Sequence, residues 1–385
     1  MIYLFYLSLI GIFILMFILL KNNRINYIAT FLLTLITIYF ILNPNLIIDS
    51  CINGAKLFFN NLFPTLFPFL VITELLILYG GVSIYSKALG PLICKPLRLP
   101  SQCSLTLAVN LLCGYPLGAK YSCHLYEEKL INKNTFKRLL NIASSASPLF
   151  IIGAVSTSMV KLPRVGVYLL IANYVSSFIM AYIGPLTKEP SLEKNINFTK
   201  PNFGSIFKEA LDNSLKTALS VGTYVVIFSI LVAIIKNSNG FYNIVNYLSK
   251  LLFFLPKDAV SGVVLGIFEI TNGCYILAES SLPINLKLSF ISFLCSFSGL
   301  SIICQVHSFI YKIKDVSISR YILKKFIQGI ISFFITYIIF TFIPIDIYTF
   351  NPTFNKNIYI SFIPLILLFI IPMLLIKLRK LFNIS

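Results

Sequence analysis

Long apolar runs separated by short basic segments dominate the chain. Runs close to the about 20 residues that a helix needs to cross a bilayer occupy 3–20, 27–42, 57–78, 139–160, 165–183, 215–235, 288–311, 326–343 and 358–376. Two shorter runs, 105–113 and 260–277, end against or contain glycine-rich interruptions. They read as re-entrant or half-spanning helices. The pattern predicts an all-α integral membrane protein with about nine transmembrane helices, two broken helical elements and two inverted repeats.

The interruptions carry the argument. Cys113-Gly114-Tyr115-Pro116-Leu117-Gly118-Ala119-Lys120 places two glycines and a proline within five positions, which frees φ, removes an N–H and stops the helix entering from 105–112. Unpaired backbone is costly in hydrocarbon and persists only where it is buried in protein or lines a polar cavity. Broken helices of this kind build the binding sites of carriers.

A second run of the chain follows the same plan. Asn53-Gly54-Ala55-Lys56 leads to Ser86-Lys87, then Leu99-Pro100, then the break at 114–116. Asn213-Ser214-Leu215-Lys216 leads to Ser249-Lys250, then Leu255-Pro256, then Glu269-Ile270-Thr271-Asn272-Gly273. A small-residue patch comes next in each half, Ala143-Ser144-Ser145-Ala146-Ser147-Pro148 and Ser296-Phe297-Ser298-Gly299-Leu300-Ser301. The threading that keeps the richest Lys/Arg segments inside is N-out, C-in, and starts the halves on opposite sides, hence inverted repeats. The expected organisation is an N-terminal transmembrane pair (1–44), a first repeat (45–186), a polar linker (187–204), a second repeat (205–345), and a C-terminal transmembrane helix with a basic tail (346–385).

Composition narrows the class. The chain is 57% hydrophobic and 11% charged, far from a soluble domain. Its 31 Lys and Arg against 13 Asp and Glu would suggest nucleic acid in a soluble protein. Here they fall mainly between apolar runs, where they hold loops inside and meet the lipid bilayer, so no nucleic-acid partner is expected. The eight cysteines form no C-x-x-C pair and the two histidines are too scattered for a metal site. No P-loop, GxGxxG or catalytic constellation is present. The expectation is a protein that is not an enzyme and carries no cofactor.

The candidate site gathers at the breaks. Glu269 is a carboxylate at membrane depth with no basic neighbour; it could couple transport to H⁺ or Na⁺, anchor a solute, or cap broken-helix amides. Gly114, Pro116, Gly118 and Gly273 shape the breaks, and Thr271, Asn272, Ser144, Ser145, Ser147, Ser298, Ser301 and Gln305 supply uncharged donors and acceptors beside them. Small polar residues in membrane helices also make close-packed seams. Tyr115 could stack on a planar ring or line the break. Lys120 could meet an anion or snorkel to the interface, and Glu74 is expected near the interface. Half-helix N-termini would offer N–H groups and a positive dipole end to a carboxylate or phosphate.

At these residues the sequence resembles the YlbJ-type sporulation integral membrane proteins of endospore-forming bacteria, within the wider nucleoside-recognition (Gate) group. The resemblance rests on 114–120, on 269–273, and on Gly299-Leu300-Ser301 with Gln305, and covers about 45–345. It implies a multi-pass protein of the outer forespore membrane that moves dipicolinic acid, a small anionic aromatic solute, toward the spore. The wider group implies a nucleoside carrier as the alternative, and a non-transporting scaffold of spore assembly is the alternative outside transport. Partners implied are the solute, further copies of the chain, or other sporulation membrane proteins.

Overall fold

In the computed structural model, residues 24–95, 97–182, 202–313 and 316–343 are described; the runs 3–20 and 358–376 and most of the linker 187–204 lie outside them. Every described element is helical. Three helices or near-straight helix pairs are long and apolar enough to cross a membrane, Phe203–Lys236, Ile284–Ile310 and Ile318–Phe342. Two further pairs pass the same test but bend at a short break, by 101° near residue 43 and by 92° near residue 80.

α1 (Arg24–Leu42) precedes the first half, which begins with α2 (Pro44–Leu57) and α3 (Phe63–Leu78). A π-helical turn, Phe58–Leu62, joins α2 to α3 just before Pro64. Widening the helix there relieves the clash of the proline ring with the preceding turn. Gly80, at φ 76°, then swings the chain into the short helix α4 (Gly81–Leu89).

α5 (Ser104–Cys113) and α6 (Leu117–Glu127) follow, separated by the break at 114–116. Gly114 has φ 73°, a conformation that L side chains avoid, and the Tyr115–Pro116 peptide is cis. The run 139–160, expected as one span, is divided: α7 (Lys133–Ile142) stops, 143–147 is non-helical, and a π-helical half-helix covers Leu149–Met159. The small-residue patch is itself the interruption: Pro148 has no N–H to pair with the Ser144 carbonyl and disfavours the helical conformation at Ser147. α8 (Val165–Tyr182) closes the half.

The described residues after 202 contain no π-helical element. The second half runs α9 (Phe203–Lys236), α10 (Asn239–Leu251), α11 (Lys257–Phe268), α12 (Ile270–Glu279), α13 (Ile284–Phe297), α14 (Gly299–Ile310) and α15 (Ile318–Phe342). α11 and α12 fold back on each other about a one-residue tip, Glu269. A β-carbon on Gly262 would meet Leu277 and Ile276, and one on Gly273 would overlap Gly266, so the arms run antiparallel with backbones in contact. The run 260–277 is thus a re-entrant hairpin. α5 and α6 form its first-half counterpart, with Gly118 tight against Asn110. The run 288–311 is broken at Ser298, which stands at φ 74° and donates its hydroxyl back to the Phe297 carbonyl.

The halves interlock. α9 packs along α2 and α3, and α15 along α13 and α8. Each hairpin's second arm lies beside the other half's post-break half-helix: α6 against α14, and α12 against Leu149–Met159. These contacts bring the breaks together at the centre.

Candidate functional site

Within each half the two breaks cross. The Tyr115 amide donates to the Ser145 carbonyl at 2.8 Å, and the Ser145 amide donates to Asn110 Oδ1 at 3.1 Å. Backbone left unpaired by the first break is therefore satisfied by the second. In the second half, Gly299 packs against the Gly266 carbonyl and the Ile270 amide. Between halves, Asn173 Nδ2 donates to Ser296 Oγ at 2.9 Å, and the Tyr115 hydroxyl points at the Cys295 carbonyl, 3.5 Å away.

A cavity of about 150 Å³ opens at this crossing. Of the residues singled out in the sequence, Tyr115, Pro116, Ser147, Glu269, Thr271, Asn272, Ser301 and Gln305 line it. Leu57, Leu66, Phe69, Val221 and Val225 of α2, α3 and α9 form an apolar flank. Its wall includes the opening residues of four half-helices: Pro116 for α6, Leu149 and Phe150 for the π-helical one, Ile270 to Asn272 for α12, and Ser301 and Ile302 for α14. None of the described lining residues is basic.

Glu269 is the N-cap of α12. Its carboxylate accepts from the Thr271 amide at 2.9 Å, the Asn272 amide at 2.9 Å and Asn272 Nδ2 at 2.8 Å. Two of the four amides orphaned at the start of that half-helix are thereby satisfied. The π-helical segment is capped by a neutral group, with the Phe150 amide donating to Ser147 Oγ at 3.2 Å. No side chain caps α6 or α14.

The other candidates lie off the cavity wall. Gly114, Gly118 and Gly273 let backbones meet, and Ser144, Ser145 and Ser298 are buried behind the wall. Lys120 is paired with Glu74, which also accepts from the Tyr121 hydroxyl at 3.3 Å. Glu74 is 7% exposed. The pair borders a second cavity of about 360 Å³ shared with His124, Glu209 and Lys216, so the charge of Lys120 is compensated away from the central cavity.

Lys325 was not among the expected site residues. It is fully buried in α15 and donates to the Ser144 carbonyl and to Gln328 Oε1, the latter at 2.8 Å. The Tyr321 hydroxyl, one turn earlier, sits 2.6 Å from Ser144 Oγ. A signal exists in the sequence: Tyr321, Lys325, Gln328, Ser332 and Thr336 recur every three or four positions, and all five are buried on one helix face. A polar stripe on a membrane helix faces the protein interior.

Residues 59–186 match the family model described as Gate, nucleoside recognition. Among solved structures, the fold is similar to that of a doubly substituted CNTnw in an outward-facing state, with a TM-score of 0.46 and 17% identity over 77% of this chain and 83% of that one. Among curated proteins, the sequence is 27% identical over 330 residues to the sporulation integral membrane protein YlbJ of Bacillus subtilis (strain 168), covering 79% of each chain. The chain is a multi-pass integral membrane protein, helical throughout its described elements, that matches the Gate model over residues 59–186 and is similar to YlbJ along most of its length.

Proposed function

We propose that the chain is a carrier for a small anionic aromatic solute, dipicolinic acid in the sporulating cell, which it moves across the outer forespore membrane. The observation that carries this reading is the meeting of four half-helix N-termini at one cavity. Each N-terminus is equivalent to roughly +0.5 charge, so four supply about +2, and the carboxylate of Glu269 lowers the sum to about +1. A cavity without a basic side chain is thus still electropositive and suits a carboxylate. Tyr115 offers an aromatic face, and Ser147, Thr271, Asn272, Ser301 and Gln305 offer donors for carboxylate oxygens. The likeness to a protein named for sporulation supports the cellular setting.

Glu269 is the candidate coupling group for H⁺ or Na⁺, because a cation on its carboxylate would bring the cavity to about +2 and match a dianion. A second reading, a nucleoside carrier, is favoured by the description of the family model matched over 59–186; the same uncharged donors could hold a ribose and base.

The test is dipicolinic acid partition between mother cell and spore in a deletion strain complemented with wild type or Glu269→Gln. The expected result is that the null strain makes the acid but its spores lack it, and that the inserted variant fails to restore it. Spores of the null strain that fill normally would refute the dipicolinate assignment, and nucleoside uptake by the reconstituted protein would then decide the second reading. A scaffold would tolerate Glu269→Gln and Asn272→Ala without loss.

A further inference from the structure

Resting on the reading above, we propose that Lys325 and the amide of Gln328 form the anion-selecting element of the carrier, and that the charge of Lys325 is answered by a carboxylate of the solute rather than by an acid of the protein. Among the described residues no carboxylate pairs with Lys325. Its ammonium rests on two neutral oxygens, the Ser144 carbonyl and Gln328 Oε1, and an ammonium has three hydrogens to donate. Gln328 Nε2 is buried without any acceptor. Unused donor capacity on both side chains, with no acid in reach, describes a site that lacks an anion.

The position fits that role. Ser144, which holds Lys325, lies three residues from Ser147 on the same non-helical break, and Ser147 lines the central cavity. The break is joined to the hairpin tip by the Tyr115–Ser145 bond. Movement of this segment, with the backbone free of helical constraint, would release the ammonium from the Ser144 carbonyl and present it to the cavity on its flexible four-carbon stem. Beside it on α15, Lys324 lies in the electrostatic reach of Arg320, Lys137 and Arg138. This cationic cluster beside the buried site would draw in anions.

A purely structural lysine predicts something different. A buried charge held only by neutral groups is poor for stability, and an apolar residue of similar volume is often neutral or stabilising in its place. Lys325→Met should therefore fold and insert. The experiment measures uptake of pyridine-2,6-dicarboxylate into proteoliposomes, together with the rise in melting temperature that the same compound gives the purified protein, for wild type, Lys325→Met and Lys325→Arg. The expected result is that Lys325→Met folds and inserts, loses the solute-induced shift and takes up the dicarboxylate at least tenfold less well through a higher KM. Lys325→Arg should retain part of both signals. Wild-type KM and shift in Lys325→Met would overturn the assignment of Lys325 alone. Lys325→Met that melts lower without solute, with solute binding unchanged in the folded fraction, would make the residue structural. Absence of any uptake or shift in wild type would overturn the carrier reading for this solute, and with it this proposal.

Discussion

Replacing Glu269 by Gln isolates the work done at the tip of the second hairpin. The carboxylate takes two backbone amides at 2.9 Å and the Asn272 side-chain amide at 2.8 Å. Glutamine keeps the shape but has one acceptor oxygen, so its NH₂ must confront one of these N–H groups, and the other bond loses its charge assistance. Hydrogen bonds to a charged group contribute about 1.5–3 kcal/mol against about 1 for neutral ones, so losing one backbone bond and the charge assistance of the other costs about 2–5 kcal/mol. At 1.4 kcal/mol per factor of ten, the first turn of α12 should open at least about 30 times more often. Hydrogen exchange of a peptide spanning 269–274 in detergent reads this opening directly. Exchange is the better assay for the cap because it reads the local order of the tip apart from the loss of the coupling carboxylate, which governs transport. Exchange at the wild-type rate in Glu269→Gln would show that the cap does not hold the tip, and the order of Thr271 and Asn272 would need another cause.

Other consequences follow from the same packing. Gly273→Leu should abolish the folded protein, because even a β-carbon there overlaps the Gly266 backbone and the hairpin arms must separate; the loss of a monodisperse peak in size-exclusion chromatography checks it. Arg138 donates to the carbonyls of Arg98, Leu97 and Ala181 at 3.0–3.1 Å. Arg138→Lys, lacking the planar fork, should strand at least one buried carbonyl and destabilise by about 1–3 kcal/mol in a denaturation series. Glu74→Gln alone leaves the largely buried Lys120 without its acid and should cost about 3–5 kcal/mol, while Glu74→Gln with Lys120→Met should recover most of it, as measured by the coupling in a double-mutant cycle.

The parts of the architecture that depend on chain-local chemistry were legible. Gly114, Pro116 and Gly118 forbid a continuous helix whatever surrounds them, and the hydrophobic run 260–277 is readable as two arms because Glu269 cannot lie in lipid unsupported. The patch 143–148 was visible as small and polar, but the run 139–160 reads as continuous in hydropathy because alanine is the best helix former and serine only mildly unfavourable. Pro148 bars a helix from running through 144–148, and what holds 143–147 open is the crossing segment at Tyr115, which no local pattern contains. The same limit hid the ion pair of Lys120 and Glu74, 46 positions apart, and left the role of Glu269 open between capping and binding.

Lys325 shows a different failure, one of framing. Taking the last described span to begin at the first uninterrupted apolar residue, Phe326, sets Lys325 in a basic loop with Lys312, Arg320 and Lys324, where positive charge needs no explanation. The helix in fact begins at Ile318, two turns earlier, and from that origin Lys325 shares a face with Gln328, Ser332 and Thr336 while Lys324 stands on another. Helical periodicity separates the two lysines, whereas hydropathy merges them. The seam is then continuous in space: Ser332 Oγ lies 2.7 Å from Ser292 Oγ, Thr336 Oγ1 donates to Ser292 Oγ at 2.7 Å, and Lys325 reaches Ser144 across the halves. A polar seam made only of hydroxyls would be adequate glue between helices. A lysine within it exceeds what packing requires, which is why the charge at Lys325, rather than the serines around it, points to the solute.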